Sequence, residues 1–218
     1  MDQSCFIVLS TPNYEKLYHK FFFSLVGLGI DAKHIYHRLE NINDRNEGFQ
    51  SDLWYHCVYT KVEHFKNMLK KHKNKYKYFF CCDCDIYFIY KNKDKWNNLL
   101  DIIEKSEKQI FYMREGNKEG INTGCAIIKN SYVDKMIEVY ERLLNEMKKT
   151  PRLEMPLGDQ TFINHWKNNI NFEYIPHRFV AFGWRIFDQN NCLFHHAIGC
   201  GDRRGKLNQI TIISNKLL

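Results

Sequence analysis

The stretch FFCCDCDIYFI, Phe79–Ile89, sets two aspartates and three cysteines inside a run that otherwise reads as a buried strand. Two metal chemistries compete within it. Residues at i and i+2 of a strand face the same side, so Asp83 and Asp85 converge and offer hard oxygen donors of the kind Mg2+ and Mn2+ take. The alternative is zinc held by Cys81, Cys82 and Cys84. Structural zinc sites draw on two Cys-x-x-Cys-like pairs, because two loops must wrap a tetrahedron. The chain holds no second such pair. The cysteines then read as small core residues, with Cys82 and Cys84 sharing a face with Phe80. Flanking residues Tyr78, Phe79 and Phe80, then Ile86 to Ile89, bury the strand on both sides. Two carboxylates in such a setting repel each other and lose hydration, at a cost of several kcal/mol unless a cation joins them. They belong where a sheet edge opens into a cleft.

Around this run the chain reads as one α/β domain spanning 1–218. Its length supports a substantial core, and its 44% hydrophobic and 15% aromatic content excludes a disordered chain. A net charge of +7 suggests an acidic partner: nucleic acid, anionic lipid or a phosphorylated substrate. The lysines are scattered, however, and only KKHKNKYK, Lys70–Lys77, is concentrated; it reads as the solvated end of a helix plus a loop. The runs CFIVLS and FFFSLVGLGI are too short for a signal peptide or a membrane span, which points to a cytoplasmic protein. Eight cysteines without an export signal favour reduced thiols. Heavy use of Lys, Asn and Ile suits an A/T-biased genome, such as that of a parasite or a large DNA virus.

Hydrophobic periodicity orders the rest. Cys5–Thr11 reads as a strand. Leu17, Tyr18, Phe21, Phe22 and Leu25 mark a helix over 14–26, closed by Gly27 and Gly29. His34–Leu39 is a second strand, and Ser51 or Asp52 caps a long helix reaching about Lys71. Tyr76–Tyr90 is the strand carrying the aspartates. A helix over 95–105, strands over 109–114 and 123–129, a helix over 131–148 and a short helix from Asp159 follow. Strands over 172–175 and 192–198 bracket an irregular region before a basic tail. Alternating strands and helices imply a mostly parallel mixed sheet with helices on both faces.

An apolar strand ending in D-x-D resembles the motif of GT-A glycosyltransferases, the nucleotide-diphospho-sugar transferase superfamily. Three further segments match in the family's order. INTGCAIIKNS (Ile121–Ser131) is similar to the asparagine–small–glycine segment behind the sugar pocket. GDQTFIN (Gly158–Asn164) is similar to the D-Q-x-x-x-N helix start of galactosyltransferase-like retaining members. HHAIG (His195–Gly199) resembles their late H-x-x-G segment. The resemblance covers nearly the whole chain and implies a Rossmann-like GT-A fold.

The resemblance also implies residue roles. Asp83, Asp85 and His196 would hold Mn2+ or Mg2+, with His195 the competitor for the same place. Asp159 would accept hydrogen bonds from the donor sugar and Gln160 would lie near the reacting carbon, although Asp159 also fits a helix N-cap. Ser10, Thr11 and Tyr14 would meet base and ribose, while Cys84, Asn122, Thr123 and Gly124 would line the donor site, Gly124 leaving room for the sugar ring. Gly199, Gly201 and Gly205 with Arg203, Arg204 and Lys206 read as a flexible basic loop for the diphosphate, and Gly199, Arg203 and Lys206 are the contacts taken from it. Here the chain departs from the family, which has a lysine where this chain has Asp202. Trp184 fits either an acceptor pocket or the core.

The expected activity is metal-dependent transfer of a sugar, of UDP-hexose type, to a hydroxyl of a glycan or glycoprotein, with retention of configuration. A metal-dependent nucleotidyltransferase or phosphohydrolase is the first rival. It would need a third carboxylate near Asp83 and Asp85 for a second metal, and none is adjacent in sequence. A basic nucleic-acid-binding module is the second, and it leaves D-C-D, N-T-G and D-Q without a role, so no nucleic-acid partner is expected.

Overall fold

The computed structural model describes residues 3–42, 49–115, 119–183, 192–199 and 202–216. Its first half contains β1 (Ser4–Ser10), α1 (Glu15–Leu28), β2 (Ile35–Leu39), α2 (Asp52–His72), β3 (Tyr78–Asp83), β4 (Ile86–Phe88) and α3 (Lys93–Lys105). Then come β5 (Ile110–Arg114), β6 (Ile121–Lys129), α4 (Val133–Lys149), α5 (Asp159–Trp166), β7 (Phe172–Tyr174), β8 (Val180–Phe182), β9 (Phe194–His196) and α6 (Arg203–Lys216). Six strands form a mixed sheet in the order β2-β1-β3-β6-β5-β7. Strand β6 runs antiparallel to both neighbours, and the other pairs are parallel.

Strand alternation explains the two-sided burial of the centre. Phe6, Val8, Phe80 and Cys82 pack with Phe21 and Leu25 of α1 and Trp96 and Leu99 of α3. Cys5, Ile7, Phe79 and Cys81 pack instead with Val62 and Phe65 of α2, Leu143 of α4 and Ile163 of α5. Each such aromatic or aliphatic side chain contributes about 2 kcal/mol on burial, so the carboxyl ends of β1 and β3 are held firmly. Ser51 caps α2 by accepting from the Trp54 N–H at 3.1 Å. Gly29, at φ 94, ends α1 alone, whereas Gly27 lies inside its last turn.

Two expectations need correction. The strand expected over 76–90 is broken: β3 stops at Asp83, Cys84 and Asp85 form a turn, and β4 joins a separate three-stranded sheet, β4-β9-β8. The apolar run IYF looks continuous with β3 in sequence, but pairing with β6 ends at Cys82 and Cys125, pairing with β1 ends at Asp83, and Asp85 lies outside both ladders. The basic tail is also no loop. Residues 203–216 form α6, with Ile210 and Ile213 buried alongside Leu17 of α1 and Tyr87 of β4. Its three isoleucines, its threonine and Gly205 are weak helix formers, so packing rather than propensity stabilises it. Trp184 and Gly201 lie outside the described residues.

Candidate active site

The parallel pairing of β1 with β3 sets Leu9 opposite Asp83, so Ser10, Thr11 and Asp83 all end at one edge of the sheet. A cleft of about 480 Å³ opens there, where open α/β sheets take ligands. The turn after Asp83 then delivers Asp85, whose carbonyl accepts from the Ala197 N–H at 3.0 Å. In the small sheet Ile86 of β4 pairs with His196 of β9. These two contacts bring the His196 Nε2 to 3.2 Å from Asp85 Oδ1 and 3.9 Å from Asp83 Oδ2. One ligand atom from each of Asp83, Asp85 and His196 lies within 4.8 Å of the others, and no other such metal-capable group occurs among the described residues. The cysteines take no part in it.

Gly124 of β6 is required for this arrangement. A Cβ there would stand 2.2 Å from His196 Cε1, so the missing side chain makes room for the imidazole. His195 points elsewhere and its Nε2 bonds Gln209 Oε1 at 3.0 Å. Burial pushes the His195 pKa down to about 4.

Two lysines share the cleft with four carboxylates and pair with three of them. Lys61 of α2 bridges Asp83 Oδ1 at 3.0 Å and Asp159 Oδ2 at 3.1 Å. Lys206 of α6 meets Asp85 Oδ2 at 2.5 Å. Burial raises the Asp83 pKa against the pull of Lys61. Burial acts on Asp85 in the same sense, but Lys206 and His196 outweigh it and hold this carboxyl well below the usual range. Desolvation would discharge each lysine, yet their carboxylates raise both above the ordinary value. The Asp85 Oδ1 is buried and its hydrogen-bonding capacity is unmet. Two hard carboxylates, one imidazole and an unmet buried oxygen fit a divalent cation.

The other wall comes from α5 and β6. Asp159 is the first helical residue of α5, not its cap; Gly158, at φ 56, precedes it. Asn164 accepts from the Ile121 N–H at 2.7 Å and donates to the Ile121 carbonyl at 2.8 Å, which staples α5 to β6. Gln160 donates to Glu115 Oε2 at 3.1 Å, and Asn122 donates to the same oxygen at 2.8 Å. The Thr123 N–H donates to Gln160 Oε1 at 3.3 Å, and the Gly124 N–H to Asn122 Oδ1 at 3.0 Å.

Ser10, Thr11, Tyr14, Cys84, Asn122, Thr123, Gly199 and Lys206 line the cleft, whereas Arg203 is exposed and does not. Asp202, where the family has lysine, accepts from the Gly205 N–H at 3.0 Å in the first turn of α6. Lys206, one helical turn on, enters the cleft instead. Sequence reasoning missed Lys61, Glu115, Phe49 and Trp54, which also line it. For Lys61 a signal existed, because it falls on the helical stripe formed by Val58, Val62 and Phe65.

No protein-family model matches the chain, and no curated protein matches it in sequence. Solved structures do match its fold. A glycosyltransferase involved in the glycosylation of the major capsid of PBCV-1 superposes with a TM-score of 0.65 at 15% identity, over 95% of this chain and 99% of that one. The glycosyltransferase GlyE of Streptococcus pneumoniae superposes with a TM-score of 0.56 at 13% identity. That match covers 99% of this chain but only 63% of GlyE, so the chain spans less than two thirds of the GlyE structure. The galactosyltransferase LgtC, solved with donor and acceptor sugar analogs, gives a TM-score of 0.50 at 11% identity, over 97% and 95% of the two chains. The fold is that of GT-A glycosyltransferases.

Proposed function

We propose that the chain transfers a hexose from a UDP-type nucleotide sugar to a hydroxyl of a glycan or glycoprotein, using Mn2+ or Mg2+ at Asp83, Asp85 and His196. The observation that carries this reading is the convergence of those three side chains, within 4.8 Å, on the sheet edge where the cleft opens. A divalent ion there would act as a Lewis acid toward the departing diphosphate. Lys206, rather than Arg203, is placed to neutralise that diphosphate, and Gly199 lets backbone approach it. Ser10, Thr11, Tyr14 and Cys84 bound the nucleotide end, and Asn122, Thr123 and Gly124 the donor side. Asp159, fixed by Lys61, accepts from donor-sugar hydroxyls, and Gln160 flanks the reacting carbon.

The pairing of the carboxylates supports the retaining reading. Asp159, Asp83 and Asp85 are each paired with a lysine. Glu115 is the cleft carboxylate without such a pair among the described residues, and the one group that favours a second reading, as general base in an inverting transfer. Two amides already donate to its Oε2, which supports a positioning role instead. In the retaining reading the leaving phosphate oxygen takes the acceptor proton. NMR of the first-formed product decides: the donor's anomeric configuration is expected, and the opposite one overturns retention in favour of Glu115.

The nucleotidyltransferase and nucleic-acid readings are not favoured by this fold. No helix among the described residues is long and apolar enough to cross a membrane. A cytoplasmic place of action completes the proposal. Thermal-shift titration with UDP, with and without Mn2+, tests the whole. A hundredfold excess of ligand over Kd stabilises by about 2.7 kcal/mol. Metal-dependent stabilisation is expected, and no response to any nucleotide sugar would sink the reading.

A further inference from the structure

The cleft has two chemically different ends. The inner end holds the aspartates, lysines and His196; the outer end is lined by Phe49, Trp54, Val58 and Leu157. Trp54 precedes Lys61 by seven residues on α2, two turns along the same helical face, and so stands about 10 Å from it along the axis. Its ring is tightly framed. Gly158 lies so close that a Cβ would come within 3.2 Å of Trp54 Cη2 and 2.9 Å of Val58 Cγ1. Phe49 packs edge-on to the indole, with ring centroids 4.9 Å apart at 68°. Yet Phe49 is 64% exposed and Leu157 44%. Gln50, between Phe49 and the capping Ser51, holds a positive φ of 68°, a strained conformation of the kind found at ligand clamps. Its side-chain amide donates to the Pro156 carbonyl at 3.1 Å, which joins the two segments of this rim.

We infer that this rim is a stacking platform for the acceptor, and that the acceptor is a neutral saccharide of at least two pyranose rings. The inference deepens the transferase reading and rests on it. One face of a pyranose presents C–H groups with partial positive charge, which suit the negative face of an aromatic ring, while the hydroxyls stay toward water. Among the described residues an anionic acceptor finds no unpaired counter-charge on this wall, where Arg152 is paired with Asp52 and lies over the Tyr55 ring. A peptide would bring backbone amides that need partners, and this wall is mainly apolar, with one Gln50 N–H already given to the Pro156 carbonyl. The distance from Trp54 to Lys61 sets the size: one ring presents its hydroxyl beside Asp159 and Gln160, and a second stacks on Trp54.

The test uses the full chain with Mn2+ and UDP present, so that the donor end is occupied and no turnover occurs. Saturation-transfer NMR is recorded with a panel of neutral disaccharides, the matching methyl monosaccharides and a serine- and threonine-containing peptide. At least one disaccharide is expected to bind. Trp54→Ala should weaken it about tenfold or more, Phe49→Ala by less, and Trp54→Phe should restore most of the affinity. The thermal shift with UDP and Mn2+ should be unchanged in all three. Disaccharide binding indifferent to Trp54→Ala and Phe49→Ala, binding of the peptide alone, or silence across the panel would each overturn the platform. Saccharide binding that depends on Trp54 without any nucleotide response would keep the platform and sink the transferase.

Discussion

Lys61 and Lys206 perform the same electrostatic task from opposite kinds of support. Lys61 projects from the middle of a 21-residue helix packed into the core, and its side chain, 12% exposed, answers two carboxylates at once. Lys206 projects from the first turn of α6 and, among the described residues, forms its ion pair with Asp85. The first ammonium is part of the frame, because removing it would leave Asp83 and Asp159 facing each other unneutralised. The second can exchange its partner for another anion without disturbing the core. One site thus contains a fixed cation that shapes it and a transferable cation that can follow a ligand's charge.

Substitutions can break this contrast at several strengths. Asp83→Ala or Asp85→Ala should abolish Mn2+-dependent stabilisation by UDP outright, read by thermal shift. Lys61→Met should destabilise the fold by about 3 kcal/mol, the usual cost of breaking a buried ion pair from one side, as measured by urea unfolding. Lys206→Ala should destabilise by less than Lys61→Met, because Lys206 is the more exposed of the two and His196 stays beside Asp85. The same substitution should tighten binding of Mn2+ alone, by removing a competitor, while weakening UDP with Mn2+ about tenfold, both by calorimetry. Equal destabilisation by the two lysine changes would erase the distinction. Gly124→Ala should push the imidazole aside and cost about 10–100-fold in metal affinity, as loss of ligand orientation does. Cys84→Ala should cost about 1 kcal/mol of packing and no metal affinity.

A further effect expected is a pH dependence away from the proposed metal site. Burial lowers the His37 pKa to about 4, so the folded chain keeps this ring neutral while the unfolded chain takes up a proton near pH 6.5. Stability is therefore complete above that value and declines as pH falls toward 4. Buried His195 adds a slope of the same sign, so a shallower fall of the unfolding midpoint across that window in the His37→Gln variant than in the parent would assign its share.

Much of this site was legible because its residues announce themselves in short motifs. D-C-D, N-T-G, D-Q-x-x-x-N and H-x-x-G each combine a polar side chain with a backbone requirement. What stayed hidden lacked such a local signature. Glu115 is an isolated acid whose importance comes from Asn122 and Gln160, which reach it from β6 and α5. The break after Asp83 carries no proline or glycine, since the exit of Asp85 from both ladders, not turn chemistry, ends the strand. α6 was hidden by its β-branched residues. The α/β layering was readable from periodicity; the second sheet was not, because three-residue strands are too short to show a period.

The turn at Cys84–Asp85 has one consequence beyond bringing the two carboxylates together. It is where the chain leaves the six-stranded sheet and enters the three-stranded one, with Asp83 anchored to the first and Asp85 to the second. The gap between the two carboxylates is thus a gauge of how the sheets are seated against each other. A change buried in the small sheet, at Phe194 for instance, should register as altered metal affinity although it touches no ligand.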